Sequence, residues 1–401
     1  MNPNMLSFDE AYERLLGFVR PVREVEEVDT MFAAGRVLAV DQRSAIDQPP
    51  MDNSGMDGYA LRAADVPVAG TRLPVSQRIP AGSVGHELTP GTAARIFTGA
   101  PLPPGADTVV MQELCEPAGD EVAVNTVPRL GEAVRRMGED IARGALVLPA
   151  GLRLTPQAVA LAAAVGLARL PVHRRVKVAV FSTGSELVMP GEPLPPGGIY
   201  NSNRYLLRGL LAGLGCEVED FGIVPDRLDA TREVLRRAAE GHDLILTSGG
   251  VSVGEEDHVK PAVEAEGSLD LWKIAMKPGK PLAYGRVHGA AFIGLPGNPV
   301  SSFVTFVLMV RPFLLATQGA SEVAPASMKL RADFDWPRPD RRREFLRARM
   351  NAQGGVELFA NQGSAALEST VWANGLVDIP ADTVIARGET VRFLPYGDLL
   401  H

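Results

Sequence analysis

The 401 residues carry 40 Lys plus Arg against 48 Asp plus Glu, a formal net charge of −8, with 46% hydrophobic residues. An acidic chain of ordinary globular composition excludes a general nucleic-acid binder and gives no ground for a membrane-surface partner, while leaving room for small basic patches around an anionic ligand. The length exceeds one compact core; at roughly 150 residues per domain it predicts two to four domains.

The two cysteines, Cys115 and Cys216, lie far apart and neither has a C-x-x-C partner. That is neither a disulfide framework nor a thiolate zinc site, and it fits a reducing cytoplasm. The first ten residues show neither the basic nor the apolar region of a secretory signal. No apolar run reaches the roughly 18 residues of a membrane helix; the longest, Phe303 to Val310, reads as a buried helix.

Ser7-Phe-Asp-Glu10 is a capping box, with Ser7 accepting from the N–H three residues on and Glu10 reaching back. A helix is expected to about Val19, and a second short helical piece from Thr30 to Leu38. Ile46 to Ala60 is a loop by composition, rich in Pro, Gly and Asp. A structural loop does not obviously account for Asp47, Asp52 and Asp57 beside Met51, Met56 and Tyr59. Short strands follow at Arg72–Val75, Ala93–Phe97, Thr108–Met111 and Glu121–Val124, which read as a small β-rich domain. Arg135 to Ile141 is another glycine-acid turn. Thr155 as N-cap and Pro156 at the first helical position start an Ala-rich helix to about Gly166. This helix is expected to pack on the N-terminal one. That makes the β-rich part, residues 46–138, an insertion in an N-terminal helical and extended domain of residues 1–45 and 139–171.

Residues 172–320 alternate strand and helix. Strands are expected at Val176–Phe181, Glu217–Val224, Leu244–Thr247, Trp272–Ile274, Leu282–Gly285 and Ala291–Gly294. Helices are expected at Leu206–Leu214 behind the cap candidates Asn201-Ser-Asn203, from an N-cap at Asp229 to about Glu240, and from Pro299 to about Thr317. Lengths of this kind predict a doubly wound parallel α/β sheet with ligands at the C-terminal strand ends. In residues 321–401 the segments Met328–Phe334, Glu344–Met350, Val356–Phe359 and Thr390–Leu394 alternate like antiparallel strands and read as a separate small β domain.

The strand-end loops carry the chemistry. Thr247-Ser-Gly-Gly-Val-Ser-Val-Gly-Glu-Glu-Asp257 turns through Gly249 and Gly250 into an acidic cluster. Glycines there allow close approach of the backbone to a phosphate, and the carboxylates suggest a hard metal ion. The same pattern also fits an ordinary strand-to-helix loop. Met276-Lys-Pro-Gly-Lys-Pro281 holds two ammoniums on a proline-stiffened loop, suited to an oxyanion or simply solvated. Pro296-Gly-Asn-Pro-Val-Ser301 offers a helix start with Asn298 as cap and Pro299 behind it, attractive to an anion or a plain helix start. Glu186, in Ser182-Thr-Gly-Ser-Glu186, could meet a ribose hydroxyl or a metal. Asp226 sits in a Pro-Asp turn, and Asp257 could be a metal ligand or a helix cap. The histidines show no H-E-x-x-H or paired spacing, and there is no G-x-S-x-G elbow or Walker A motif. The oxygen-rich loops favour magnesium.

Together, the four strand-end motifs resemble the molybdopterin-binding domain of molybdenum cofactor enzymes. Ser54-Gly-Met-Asp-Gly-Tyr-Ala60, Thr98-Gly-Ala100 and Gly138-Glu-Asp-Ile141 are similar to one branch, the molybdopterin molybdenumtransferases, a fold also found as the E domain of gephyrin. The C-terminal Asn361-Gln-Gly-Ser364 and Ala373-Asn-Gly-Leu376 extend the resemblance to essentially the whole chain. It implies an elongated homodimer of four-domain subunits that inserts molybdate into adenylylated molybdopterin with Mg2+, releasing AMP. It assigns Glu186, Asp226 and Asp257 to ligand and metal binding, and Lys273, Lys277 and Lys280 to oxyanion or phosphate binding. Pro296 and Pro299 shape the pocket. Thr183, Gly184, Ser185, Ser248, Gly249, Gly250, Ser252, Gly297 and Asn298 become cofactor contacts. Asp57, Thr98 and Asp140 are expected to face that pocket across the dimer interface, so that one site uses both subunits. A molybdopterin adenylyltransferase and the recipient molybdoenzymes are the implied partners. Relatives commonly have Asp-Tyr-Asp after Gly254, so only Asp257 keeps a clear match there. Three readings compete: an adenylyltransferase, which is usually one short domain; a gephyrin-type scaffold; and a competence/damage-inducible-type nucleotide hydrolase, against which the Ser54–Ala60 and Thr98–Ala100 motifs stand.

Overall fold

Seven strands make the central sheet of this computed structural model, which describes residues 5–250 and 258–400. Their order is Met5–Leu6, Gly267–Ile274, Pro281–Val287, Ala290–Leu295, Leu244–Ser248, Lys177–Thr183 and Glu217–Val224. The apolar runs exist because both faces are covered. Val178, Val180, Leu244 and Leu246 pack under the helix Ser202–Gly213 and the long helix from Pro299. Ala179, Phe181 and Ile245 pack under Leu228–Ala239 and Val259–Glu266. With period-2 side chains, one near-continuous apolar strand serves two cores.

The sheet is mixed, not wholly parallel. Pro281–Val287 runs antiparallel to both its neighbours, while Lys177–Thr183, Leu244–Ser248, Glu217–Val224 and Ala290–Leu295 are mutually parallel. The reason is the connection to the next strand. Only His288 and Gly289 separate Val287 from Ala290, both with positive φ (49° and 123°). Two residues close a hairpin and cannot make a parallel crossover. Two reversals leave Gly267–Ile274 pointing with the parallel strands, so the loop after it still opens at their C-terminal edge.

The long helix runs from Pro299 to Thr317, 94% buried, with a mean hydropathy of 1.7. Length and composition alone would let it cross a membrane, but its place is the core. A π turn, Phe306–Val310, interrupts it just before Arg311-Pro312. Pro312 has no N–H and crowds the carbonyl four residues back, and a widened turn relieves that clash.

At the N-terminus the capping box forms as expected: Ser7 Oγ accepts from Glu10 N at 3.2 Å and Glu10 accepts from Ser7 N at 2.8 Å. The helix it starts, Phe8–Gly17, buries Ala11 and Leu15 in the α/β core. The helix Pro156–Ala164 does not share that core. Its Ala158 and Ala162 pack with Leu38, Leu148, Leu154, Leu170 and Val172, which corrects the expected pairing of the two helices. The second helical piece is only a single 3-10 turn, Thr30–Phe32, capped by Asp29. Val37 and Leu38 instead bridge to Arg153 and Val172 in extended conformation. Asp229 is also not an N-cap: Arg227 holds that position and Asp229 lies in the first turn, where its charge favours the helix dipole.

The strand Val25–Asp29 pairs with Arg169–His173 and Gln42–Arg43 with Leu146–Leu148. Between these pairings the chain forms a six-stranded sheet of Thr108–Met111, Gly58–Leu61, Ala93–Ile96, Thr71–Ile79, Glu121–Val124 and Cys115–Ala118. The C-terminal sheet also has six strands: Met276–Lys277, Arg343–Met350, Gly355–Leu358, Met328–Ala332, Thr390–Pro395 and Gly375–Ile379. It is less separate than its sequence suggests. Met276–Lys277 belongs to the lysine loop of the α/β part, with Lys277 opposite Glu344, and Phe345, Leu376, Leu394 and Tyr396 share the α/β core.

Candidate functional site

The loops at the C-terminal edge of the parallel strands surround a cavity of about 720 Å³. Thr183, Gly184 and Glu186 come from the end of Lys177–Thr183, and Gly249 and Gly250 from the end of Leu244–Ser248. Asp226 follows Glu217–Val224, the segment Lys277 to Pro281 follows Gly267–Ile274, and Pro296, Gly297, Asn298 and Ser301 follow Ala290–Leu295. The C-terminal sheet supplies the remaining wall: Arg342, Gln362, Gly363 and Ser364. Strand ends of one sheet converge because their exposed backbone groups all terminate at the same edge.

Short-range bonds hold these loops. Gly249 N donates to Leu295 O at 3.1 Å, Asn203 Nδ2 to Gly297 O at 2.8 Å, and Ser302 Oγ to Pro296 O at 2.9 Å. Gly250 has a φ of +67°, and a Cβ there would lie 2.8 Å from Thr183 Oγ1 and 2.4 Å from Val259 Cγ2. Gly279 is more constrained still, with φ +108° and a Cβ position 2.3 Å from Thr305 Oγ1 of the buried helix. Gly279→Ala combines that clash with a backbone conformation that disfavours L side chains. It is expected to cost about 1–3 kcal/mol of stability, read as a lowered Tm; an unchanged Tm would mean that the loop is free to rearrange.

Charge is divided across the cavity. Glu186 and Asp226 lie on the strand-end side; Lys277, Lys280 and Arg342 lie on the side shared with the C-terminal sheet. Two carboxylates anchor the cations. Lys277 Nζ is 2.9 Å from Glu344 Oε1 and 3.3 Å from Asp340 Oδ2. Glu344 is only 1% exposed and also accepts from Trp336 Nε1 at 2.7 Å. Partial burial of Lys277 opposes its charge, but hydrogen bonds and Coulomb attraction to Glu344 and Asp340 outweigh it and raise the ammonium's pKa. Asp340 binds Arg342 in bidentate fashion, at 2.9 Å to Nε and 2.8 Å to Nη2, and this pairing holds its carboxyl far below the usual range. Lys280 is exposed and enters no ion pair among the described residues.

Eleven of the expected residues therefore meet in one place: Thr183, Gly184, Glu186, Asp226, Gly249, Gly250, Lys277, Lys280, Pro296, Gly297 and Asn298. Ser252 and Asp257 lie outside the described residues. Ser185, Ser248, Lys273 and Pro299 do not line the cavity. Ser248 is buried against Ser182, their hydroxyls 3.4 Å apart. Lys273 lies in the central sheet between Met5 and Pro281, exposed, while its neighbours Trp272 and Ile274 are buried in the core. Pro299 is the first residue of the long helix.

Asp57, Thr98 and Asp140 do not line it either. They sit on three segments stitched into one surface. Gly99 N donates to Ser54 O at 2.8 Å, Val134 and Arg135 pair with Ser54 and Asn53, and Asp140 N donates to Gln48 O at 2.9 Å. Asp57 Oδ1 accepts from Thr98 N at 2.8 Å and from Thr98 Oγ1 at 2.7 Å, and these two bonds lower its pKa. Asp140 is paired with Arg135 and Asp52 with Arg136.

Sequence reasoning missed Ser301, Arg342, Gln362, Gly363 and Ser364 as lining residues. Arg342 stands in the run Arg341-Arg342-Arg343, which has no periodicity to mark it. Gln362 to Ser364 belong to a motif that was legible only as part of a resemblance. Among the described residues no group of three or more His, Cys, Asp or Glu is placed to hold a metal, and Glu186 and Asp226 are the carboxylates that these residues bring to the cavity.

Three family descriptions match almost the whole chain: MoeA N-terminal region (domain I and II) over residues 6–166, probable molybdopterin binding domain over 179–316, and MoeA C-terminal region (domain IV) over 329–396. A molybdopterin molybdenumtransferase of Haemophilus influenzae is 38% identical, covering 99% of this chain and 100% of its own length. Molybdopterin molybdenumtransferase 2 of Mycobacterium tuberculosis is 41% identical over 90% of this chain and 92% of its own. The crystal structure of a molybdopterin biosynthesis MoeA protein from Pyrococcus horikoshii OT3 superposes with a TM-score of 0.86 at 32% identity, covering 98% of this chain and 100% of that one.

Proposed function

The chain belongs to the MoeA family of molybdopterin molybdenumtransferases, and from that premise we propose how its strand-end cavity handles the substrates. The family reaction inserts molybdate into molybdopterin to make molybdenum cofactor. The molybdopterin arrives adenylylated and AMP leaves. The observation that carries it is the meeting of three cations from two parts of the chain, Lys277, Lys280 and Arg342, across from Glu186 and Asp226 in one cavity. A tetrahedral dianion suits convergent ammonium and guanidinium donors. The flat guanidinium of Arg342 is held on one edge by Asp340, which leaves the rest of its fork to a ligand.

Glu186 and Asp226 supply the hard-oxygen chemistry that Mg2+ takes, with Asp257 the third member of the expected set. Such an ion, when bound, polarises a phosphate link and offsets the charge on its leaving oxygen. The remaining work belongs to the protein. Gly249 and Gly250 bring backbone close to the substrate, Thr183 offers a hydroxyl, and the loop Pro296–Asn298 closes the floor. The lysines bring molybdate to the site where the dithiolene must accept it, which is catalysis by positioning and preorganised charge. An adenylyltransferase reading leaves the matched N-terminal and C-terminal regions without a role, so the insertase reading is preferred.

The composite site is also a proposal. Asp57, Thr98 and Asp140 share a surface and do not line the strand-end cavity of their own chain. Met31 and Phe32 are 77% and 76% exposed and Met137 57%, apolar area that a second copy would cover. We place Asp57, Thr98 and Asp140 against the partner's cavity in a homodimer. The two free cysteines fit work in a reducing compartment such as the cytoplasm, beside an adenylyltransferase that supplies the substrate and molybdoenzymes that take the product. A mixed dimer tests the sharing. Asp57→Ala and Asp226→Ala homodimers are each expected to be inactive. A purified heterodimer carrying one of each has one of its two sites intact and should recover about half of wild-type AMP release. No recovery would mean that each chain works alone.

A further inference from the structure

Among the described residues, Arg347 is the largest fully buried side chain, with no exposed surface. It stands mid-strand in Arg343–Met350, in the C-terminal sheet. None of the ion pairs among the described residues includes it. Its guanidinium instead donates to neutral groups: Nε to Ser369 Oγ at 3.1 Å, Nη1 to Phe345 O at 3.3 Å and Nη2 to Gly363 O at 3.3 Å. Burial pulls its pKa down to about 10, still well above neutrality, so the charge stays. An uncompensated buried charge is an expensive way to fill space, and a Met or Leu would fill the same volume without that cost.

The geometry shows what the charge does there. Gln362 clamps the backbone of the same residue, accepting from Arg347 N at 2.9 Å and donating to Arg347 O at 2.9 Å, and it also donates to Phe359 O at 2.8 Å. Arg347 and Gln362 thus hold each other's segments from both sides. The held segment, Gln362-Gly363-Ser364, is the cavity wall. It is tied in turn to the opposite wall, because Ser364 O accepts from Val300 N at 3.0 Å in the first turn of the helix behind Pro296–Asn298. A chain of contacts runs from a buried cation through Gly363 and Ser364 to the loop from the central sheet.

We propose that Arg347 is a positioning residue for the molybdate-insertion reaction: it fixes the Gln362–Ser364 wall, and through it the gap between that wall and the Pro296–Asn298 loop. It touches no reacting atom. The proposal rests on the functional reading above. Arg347→Met keeps the volume and removes the charge and its three donors. The expected result is a folded protein with Tm unchanged or raised, a KM for molybdate raised about tenfold and a smaller fall in kcat. Arg347→Lys, which retains a charge and fewer donors, should lie between. Ser369→Ala removes one partner outside the cavity and should shift KM the same way by less; it decides the matter if Arg347→Met does not fold. A purely structural role predicts a lower Tm with KM untouched, and that outcome, in either the Met or the Ala variant, overturns the proposal. Equilibrium dialysis of molybdate against wild-type and variant protein reads the same wall without turnover. Loss of wild-type AMP release would therefore count against the functional reading, while equal molybdate binding by wild type and Arg347→Met would count against Arg347.

Discussion

Lys280→Ala is expected to lower kcat/KM for molybdate by about 10²-fold or more, the usual consequence of removing one preorganised donor from a developing or bound oxyanion. Of the three cavity cations it is the one with no carboxylate attached among the described residues. Lys277 is shared between Glu344 and Asp340, and Arg342 is bound at one edge by Asp340. The field those two project is partly spent within the protein; that of Lys280 is directed to the ligand. Lys280→Arg should recover part of the loss by restoring charge without the same reach. Steady-state AMP release at varied molybdate separates the cases. A Lys280→Ala variant with wild-type molybdate dependence would place the oxyanion elsewhere in the cavity.

The second large effect concerns stability. Arg343 donates to Asp378 through two bonds of 2.7 Å, to Asp9 at 2.9 Å, and lies 4.7 Å over the ring of Phe8. It joins the N-terminal helix to the C-terminal sheet, one residue from Arg342. Asp378 is 3% exposed and retains only Arg392, at 3.3 Å, if Arg343 is removed. A buried carboxylate left half-paired costs about 3 kcal/mol, so Arg343→Ala should lose that much in urea denaturation. The double variant Arg343→Ala with Asp378→Ala should recover part of it, because the stranded charge is gone. A single-variant loss below about 1 kcal/mol would fit an exposed pair instead.

The parts of the fold set by local chemistry were legible. Ser7 to Glu10 closes its own capping box, Thr155-Pro156 starts a helix, and Glu217–Val224 is a strand because it alternates between turn signals. What tertiary contacts decide was not. An isolated apolar strand carries no direction, so the expected strand Leu282–Gly285 falls in with the parallel set; the two-residue link His288-Gly289 is the available signal against it. The helices at Phe8 and Pro156 both offer small apolar faces, and nothing within either one says which core receives it. The short run Gly375–Ile379 is a strand through its pairings with Arg343–Met350 and Thr390–Pro395.

The candidate site divides along the same line. Glycine- and proline-bearing loops announce themselves because backbone approach and helix starts demand those residues, and they form most of the cavity. Arg342 entered it through the pairing of Lys277 with Glu344, a contact between segments far apart in the chain that leaves no trace in either. Lys273 belongs to the expected set through the resemblance alone, and strand alternation turns it away from the core side of Trp272 and Ile274.

The most direct measurement is molybdate-dependent turnover. Purified protein is incubated with adenylylated molybdopterin and Mg2+, with and without molybdate, and AMP is followed together with reconstitution of a cofactor-free molybdoenzyme. AMP and active cofactor should appear together, only when molybdate is present, and both should fall with Lys280→Ala and with chelation of the divalent ion. AMP release that ignores molybdate, or cofactor formation untouched by the loss of Lys280, would contradict the assignment of this cavity as the insertion site.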